Sequence, residues 1–248
     1  IDFQDYNPYN IYINGEYFGL LNARERLDVN YLKRKYGFED DKIDFLQYNS
    51  ASISGDDKKY QELISIVEND SMMSDNTFKV LQTRMDMDNY IDYNSFEIYA
   101  GNNDWPFNNV RYWRYKTDTY TPKAPYGLDG RFRWVVFDLD NSYYLNLVDF
   151  NSLENAIIPV LNLLNPKAQF LFRSLNNNKD FKLDFITRYS DLLNTYFKPN
   201  RIINKIDGFR NLLSHDMYNH LNRWETLKSM DDWYAKVNEL EQFAQRRP

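Results

Sequence analysis

Asp104, Asn109 and Asp138 are the side chains best placed to do chemistry. Asp104 lies in NNDWPFNN, directly after a helical pattern, and Asn109 follows five residues later, where a strand begins. Asp138 ends the next strand, in FDLD. If 110–115 and 131–137 pair as an antiparallel hairpin, the start of the first strand lies beside the end of the second. Neighbouring strands sit about 5 Å apart, so Asn109 and Asp138 would meet at the open end of the hairpin. Asp104 would reach the same end from the preceding helix. A carboxylate and an amide oxygen side by side are hard ligands suited to Mg²⁺. A second carboxylate nearby could orient a hydroxyl nucleophile, and phosphoryl transfer needs that combination. The spacing alone carries little, because Asp and Asn are common in the chain. Its place between a helix and a hairpin that ends in another Asp carries more. The rival reading makes Asp104 and Asn109 turn formers, and Asp138 and Asp140 strand terminators.

The elements that must position these groups are legible from periodicity. Residues 9–14 and 16–27 read as two strands joined at Asn14-Gly15, since both residues tolerate positive φ. On the second strand Tyr17, Gly19, Leu21, Ala23, Glu25 and Leu27 share a face, which sets Glu25 among mostly apolar neighbours where a carboxylate needs a partner. Asp28 caps a short helix that Gly37 ends. Residues 43–48 read as a strand, and helices are expected over 56–69, 75–84 and 88–99, the last closed by Gly101. From Ser152 onward the pattern is helical, over 152–164, 166–175, 179–196, 199–213, 216–226 and 231–245. A mixed first half and a helical second half predict an α+β architecture.

The chain has 248 residues, 43% hydrophobic and 17% aromatic, which is enough for a sizeable core. A formal net charge of -6 and the lack of a basic stripe argue against nucleic acid as the partner. No cysteine is present, so disulfides and thiolate metal sites are excluded. No apolar run is long enough to span a membrane. Ile1 stands where a Met would begin a chain, so the sequence reads as a trimmed piece. His215 and His220 are five apart, a poor spacing for a zinc pair on a helix, and helix-end packing is the expected role. The acidic run 84–92 reads as a helix amino terminus rather than a calcium loop.

At NNDWPFNN and FDLD the sequence resembles the CotH kinase family, atypical protein kinases first known from bacterial spore coats. YINGEYFGLLNARERLDVNYLKRKYG (12–37), the segment 85–114, RFRWVVFDLD (131–140) and the carboxy-terminal helices carry the likeness across nearly the whole chain. The resemblance implies one atypical protein-kinase-like domain over 1–248. It would have a small strand-rich amino-terminal part at 1–70, possibly extended upstream, and a larger helical part at 71–248. It implies ATP and Mg²⁺ or Mn²⁺ as cofactors and a protein hydroxyl as acceptor. Asp104 would be the catalytic aspartate, Asn109 and Asp138 the metal ligands, with Asp140 at the metal or holding the loop. Glu25 and Arg26 would lie at the nucleotide, Glu25 by orienting a phosphate-binding cation, and Trp105, as a neighbour of Asp104, could line the pocket, with core packing its preferred role. Frequent export of family members leads to an expected extracellular or cell-surface location.

One departure stands out. Spore-coat members carry a lysine in the strand matching 43–48, where this chain has Gln47. The phosphate-contacting cation is therefore unassigned, with Arg24, Arg26 and Lys33 as candidates. This departure supports an alternative, a catalytically inactive kinase-like binding module of a bacterial surface or secreted protein. A carbohydrate-acting hydrolase built on Asp138 and Asp140 ranks last, because alternate carboxylates on one strand end do not straddle a sugar.

Overall fold

Local signals in the sequence set most element boundaries. The computed structural model describes residues 1–158 and 167–247. In chain order the strands and helices are β1 (Asp2–Phe3), β2 (Tyr6–Ile13), β3 (Glu16–Arg24), α1 (Val29–Tyr36), β4 (Ile43–Gln47), β5 (Ala51–Ser54), α2 (Lys58–Asn69), α3 (Asp75–Gln82), α4 (Met87–Ala100), β6 (Arg111–Tyr115), β7 (Arg133–Val136), α5 (Ser152–Ile157), α6 (Phe170–Leu175), α7 (Lys179–Asn194), α8 (Pro199–Trp224) and α9 (Met230–Arg246). The architecture is mixed α and β, as the sequence pattern predicts. The helix expected over 152–164 is seen as α5, and its residues 159–164, like residue 166 of the next one, lie outside the described residues. Among the described residues no helix is long and apolar enough to cross a membrane.

The chain divides into two units, each assembled from three segments. The first comprises residues 1–3, 26–142 and 151–190. It holds a five-stranded sheet in the order β1-β7-β6-β4-β5. The expected β6–β7 hairpin is present and antiparallel, with Arg111 opposite Val135, Tyr112 opposite Trp134 and Trp113 opposite Arg133. Because side chains alternate along a strand, one sheet face presents Tyr112 and Trp134 to the main core, where α2, α3, α4, α6 and α7 add Leu63, Phe78, Tyr90, Phe172 and Phe181. The other face presents Phe45, Trp113 and Val135 to a second core that includes Tyr31 and Leu32 of α1. Asp28 caps α1 by accepting from the Tyr31 amide, as expected from its position.

The second unit comprises residues 4–25, 143–150 and 191–248. Here β2 and β3 form a two-stranded antiparallel ribbon. Its turn is Asn14-Gly15, both at positive φ. The face predicted for β3 is not buried as expected. Leu21 and Ala23 are exposed, and the strand ends at Arg24, one residue before Glu25. A ribbon with no third strand leaves both faces wet except where a helix covers it. That cover is α8, whose Trp224 Nε1 donates to the Phe18 carbonyl at 2.9 Å and whose His220 Nδ1 accepts from the Leu20 amide at 3.1 Å. Gly19 permits the approach, since a Cβ there would stand 2.7 Å from Trp224 Nε1. His220 is thus a packing and hydrogen-bonding residue. The two helices expected at 199–213 and 216–226 are one continuous helix. Ser214 and His215, which lay between the two expected helices, are absorbed, with Ser214 bonding back to the Asn211 carbonyl.

Candidate active site

The loop that follows α4 carries the first candidate residue. Asp86 caps the start of α4 by accepting from the Asn89 amide. Gly101 stops the helix at φ 62°, a left-handed conformation that glycine adopts without a Cβ clash. The chain then turns back on itself through two buried groups. Asn102 donates from Nδ2 to Glu97 Oε2 at 2.8 Å, and its Oδ1 accepts from the Asp104 amide at 3.1 Å. Glu97 and Asn102 are both fully buried. Burial pushes the Glu97 carboxyl up to about 8, against the partly offsetting amide of Asn102.

Asp104 is held on its other side by Asn141, whose Nδ2 donates to Asp104 Oδ2 at 2.8 Å. The backbone ties the same segments, because the Asn103 amide donates to the Asn141 carbonyl at 2.9 Å. Asn109 sits between the two aspartates. Its Nδ2 donates to the Asp138 carbonyl at 3.0 Å and makes a long 3.5 Å contact with Asp104 Oδ2. The structure therefore brings Asp104, Asn109 and Asp138 to one end of the β6–β7 hairpin, the end away from its connecting loop. Asn109 and Asp138 both adopt positive φ, 57° and 56°. Asn and Asp tolerate that region better than other side chains, yet two such residues facing each other mark a locally strained backbone of the sort found at functional sites.

The electrostatics at this end are lopsided. The Asp138 carboxyl is raised above the usual carboxylate range, first by loss of solvent, then by the charge of Asp140 and its hydrogen bond, then by Asp104. Arg111 opposes the shift only weakly. The closeness with which Asp140 acts on Asp138 also counts against the hydrolase reading, which needs carboxylates separated by the width of a sugar linkage. Burial lowers the Arg111 guanidinium from its usual value, with Tyr48, Arg26 and Asp138 as its charged neighbours in order of effect.

Neighbouring hard-oxygen groups, with the Asp138 carboxyl raised by the acids beside it, suit a divalent cation. The donor types therefore fit Mg²⁺ or Mn²⁺. The ligands are not preassembled, however. Among the described residues no three histidine, cysteine or acidic side chains are gathered closely enough to hold a metal, and Asn109 directs its amide nitrogen, not its oxygen, at the Asp138 carbonyl.

A family model described as CotH kinase protein matches residues 1–248. The chain belongs to the CotH kinase family. A search of curated proteins found none that matches. Membership in the CotH family carries a kinase-like function as its coarse meaning.

The remaining candidate residues of this CotH chain fall in different places. Arg26 is an exposed side chain, 89% accessible, paired with Asp28 at 3.6 Å. Trp105 is 2% exposed and belongs to the main core. With Pro106, Val110, Tyr90 and Trp134 it lines a cavity of about 200 Å³ that does not include Asp104, Asn109 or Asp138. Glu25 belongs to the second unit, and its carbonyl accepts from Gln4 at 2.7 Å. Sequence reasoning missed Asn102, Asn141 and Arg111. Asn141 directly follows FDLD, and the Asn-Asn-Asp order before Trp105 was the available hint for Asn102.

Proposed function

We propose that this chain transfers the γ-phosphate of ATP to a serine or threonine hydroxyl of a protein. The observation that supports this most is the meeting of Asp104, Asn109 and Asp138 at one end of a strand pair. In this reading Asp138 and Asn109 hold a divalent metal, Mg²⁺ or Mn²⁺, with Asp140 beside it. When bound, the metal supplies charge neutralisation at the phosphate oxygens. Asn109 would turn its amide over to present Oδ1. Asn141 fixes Asp104 through Oδ2 and Asn102 fixes its backbone, which leaves Asp104 Oδ1 to orient the acceptor hydroxyl. As the hydroxyl oxygen bonds the γ-phosphorus, the bond to the bridging oxygen of ADP breaks and the hydroxyl proton passes to Asp104.

The test is phosphate transfer from Mg-ATP to a panel of serine- and threonine-rich proteins. Asp104→Asn should lower turnover by about 10²–10⁴-fold, the usual contribution of a positioned base. Equal turnover by the variant would remove Asp104 from the mechanism. A second reading, a kinase-like binding module without transfer, is favoured by the inward-facing nitrogen of Asn109. It predicts nucleotide binding or none, but no labelled acceptor under any metal.

A further inference from the structure

We propose that Arg111 is the cation that receives the polyphosphate of the nucleotide, a role that rests on the kinase reading above. A triphosphate carries several negative charges, so a metal alone rarely suffices and a guanidinium or ammonium commonly joins it. The other cations of the sheet are already committed. Arg114 Nε bonds Asp44 at 2.8 Å and Arg133 bonds Asp129 at 2.7 Å and Asp86 at 2.9 Å, and on α1 Lys35 bonds Asp2 at 2.8 Å. Arg26 is exposed and paired with Asp28.

Arg111 differs from all of these. It is half-buried and, unlike them, no ion pair reaches it among the described residues, while its Nε, like those of Arg84 and Arg133, is shielded from solvent with no hydrogen-bond partner. Withdrawing a cation from water without a partner costs stability, so its persistence calls for an anion from elsewhere. Its guanidinium carbon lies 4.2 Å from the centroid of the Phe137 ring, over the ring face. A guanidinium held against a ring still has N–H groups to offer to oxygen atoms. Phe137 immediately precedes Asp138, so the anchored guanidinium stands beside the proposed metal ligand. In the sheet, Arg111 of β6 lies opposite Gln47 of β4 and Val135 of β7, and paired residues share a face. The neutral amide at position 47 therefore has a guanidinium one strand closer to Asp138, on the same face.

The experiment is calorimetric titration of the full chain with Mg-ATP, Mg-tripolyphosphate and adenosine. It compares wild type, Arg111→Gln, Arg111→Lys and the exposed charge control Lys79→Gln. Arg111→Gln should weaken ATP and tripolyphosphate by about 10–100-fold, the size of one or two charge-assisted hydrogen bonds, and leave adenosine unchanged. Arg111→Lys should fall between, because it keeps the charge and loses the fork. Lys79→Gln should match wild type. Ligand-free melting curves check the fold, and Arg111→Met, which keeps packing on Phe137, replaces the glutamine variant if that one fails to fold. ATP binding undiminished in Arg111→Gln, or an equal loss for adenosine, overturns the assignment while the kinase reading stands. A wild type that binds neither ATP nor tripolyphosphate overturns both.

Discussion

Strand β7 carries a charge cluster at each end, and the two are built on opposite principles. At its start Arg133 and the neighbouring Arg131 face Asp86 and Asp129, two cations against two acids, with contacts of 2.7–3.3 Å. Past its other end Asp138 stands with Asp104 and Asp140, three acids that Arg111 offsets weakly. The first cluster is largely buried and its charges are balanced by ion pairs, so it has no net charge for a ligand to neutralise. The second is solvent-facing, strained at Asn109 and Asp138, and short of positive charge. The balanced end is scaffold, and the unbalanced end is where a cation and a phosphate can add something the chain lacks. Neutralising one acid should therefore have opposite consequences at the two ends.

The largest effect is expected at the balanced end. Asp129 accepts from Arg133 Nη1 at 2.9 Å and Nη2 at 2.7 Å and from Arg131 Nε at 2.8 Å. Asp129→Asn leaves a buried guanidinium charge in excess and should cost about 3–5 kcal/mol in chemical denaturation. A loss no greater than that of an exposed surface aspartate would break the comparison.

Glu97 sharpens it from a third position, behind the Asp104 loop. Its carboxyl ordinarily titrates near 4.5 and is pushed up to about 8 by burial. Between those values the folded chain holds a proton that the unfolded chain has released. Stability from this group is therefore full below about 4.5, falls as pH rises, and is lost above about 8. The slope is at most about 1.4 kcal/mol per pH unit. Glu97→Gln should flatten the stability profile over that window, measured by urea denaturation at several pH values. A wild-type profile already flat from pH 5 to 8 would show that Glu97 does not titrate as its surroundings imply.

A smaller effect is expected from metal. Mg²⁺ at about ten times its Kd should stabilise the wild type by about 1.4 kcal/mol and leave Asp138→Asn unchanged. Equal stabilisation of both proteins would place the metal elsewhere.

Much of this arrangement was readable from sequence, and the unread part has a physical pattern. Asp28 and Gly37 delimit α1 because caps act within one turn. The meeting of Asn109 with Asp138 follows from period-two alternation and hairpin register, which are local rules. What escaped was non-local or chemically ambiguous. The two-residue β1 exists only because β7, far along the chain, offers a parallel edge, with Asp2 opposite Val135. Asn102 and Asn141 hold Asp104, yet asparagine in a loop signals a turn as readily as a support. Arg111 sits in VRYWRY, where it reads as one polar residue of an alternating strand, and its lack of an ion pair among the described residues emerges only when the nearby carboxylates have been placed.

The smallest effect is the most discriminating. Asp138 is exposed, so solvent screens its repulsion from Asp140 and Asp104, and removing its charge changes stability little. Asp138→Asn should melt at or slightly above wild type without ligand, by a few tenths of a kcal/mol, because the relief from Asp140 and Asp104 outweighs the weaker attraction that Arg111 loses. The same variant should lose phosphate transfer. An aspartate kept where an amide would fold as well or better is retained for what it binds, which is the distinction drawn between the two ends of β7. A clear drop in ligand-free stability for Asp138→Asn, comparable to that of Asp129→Asn, would mean that both ends are scaffold and that the unbalanced charge serves the fold alone.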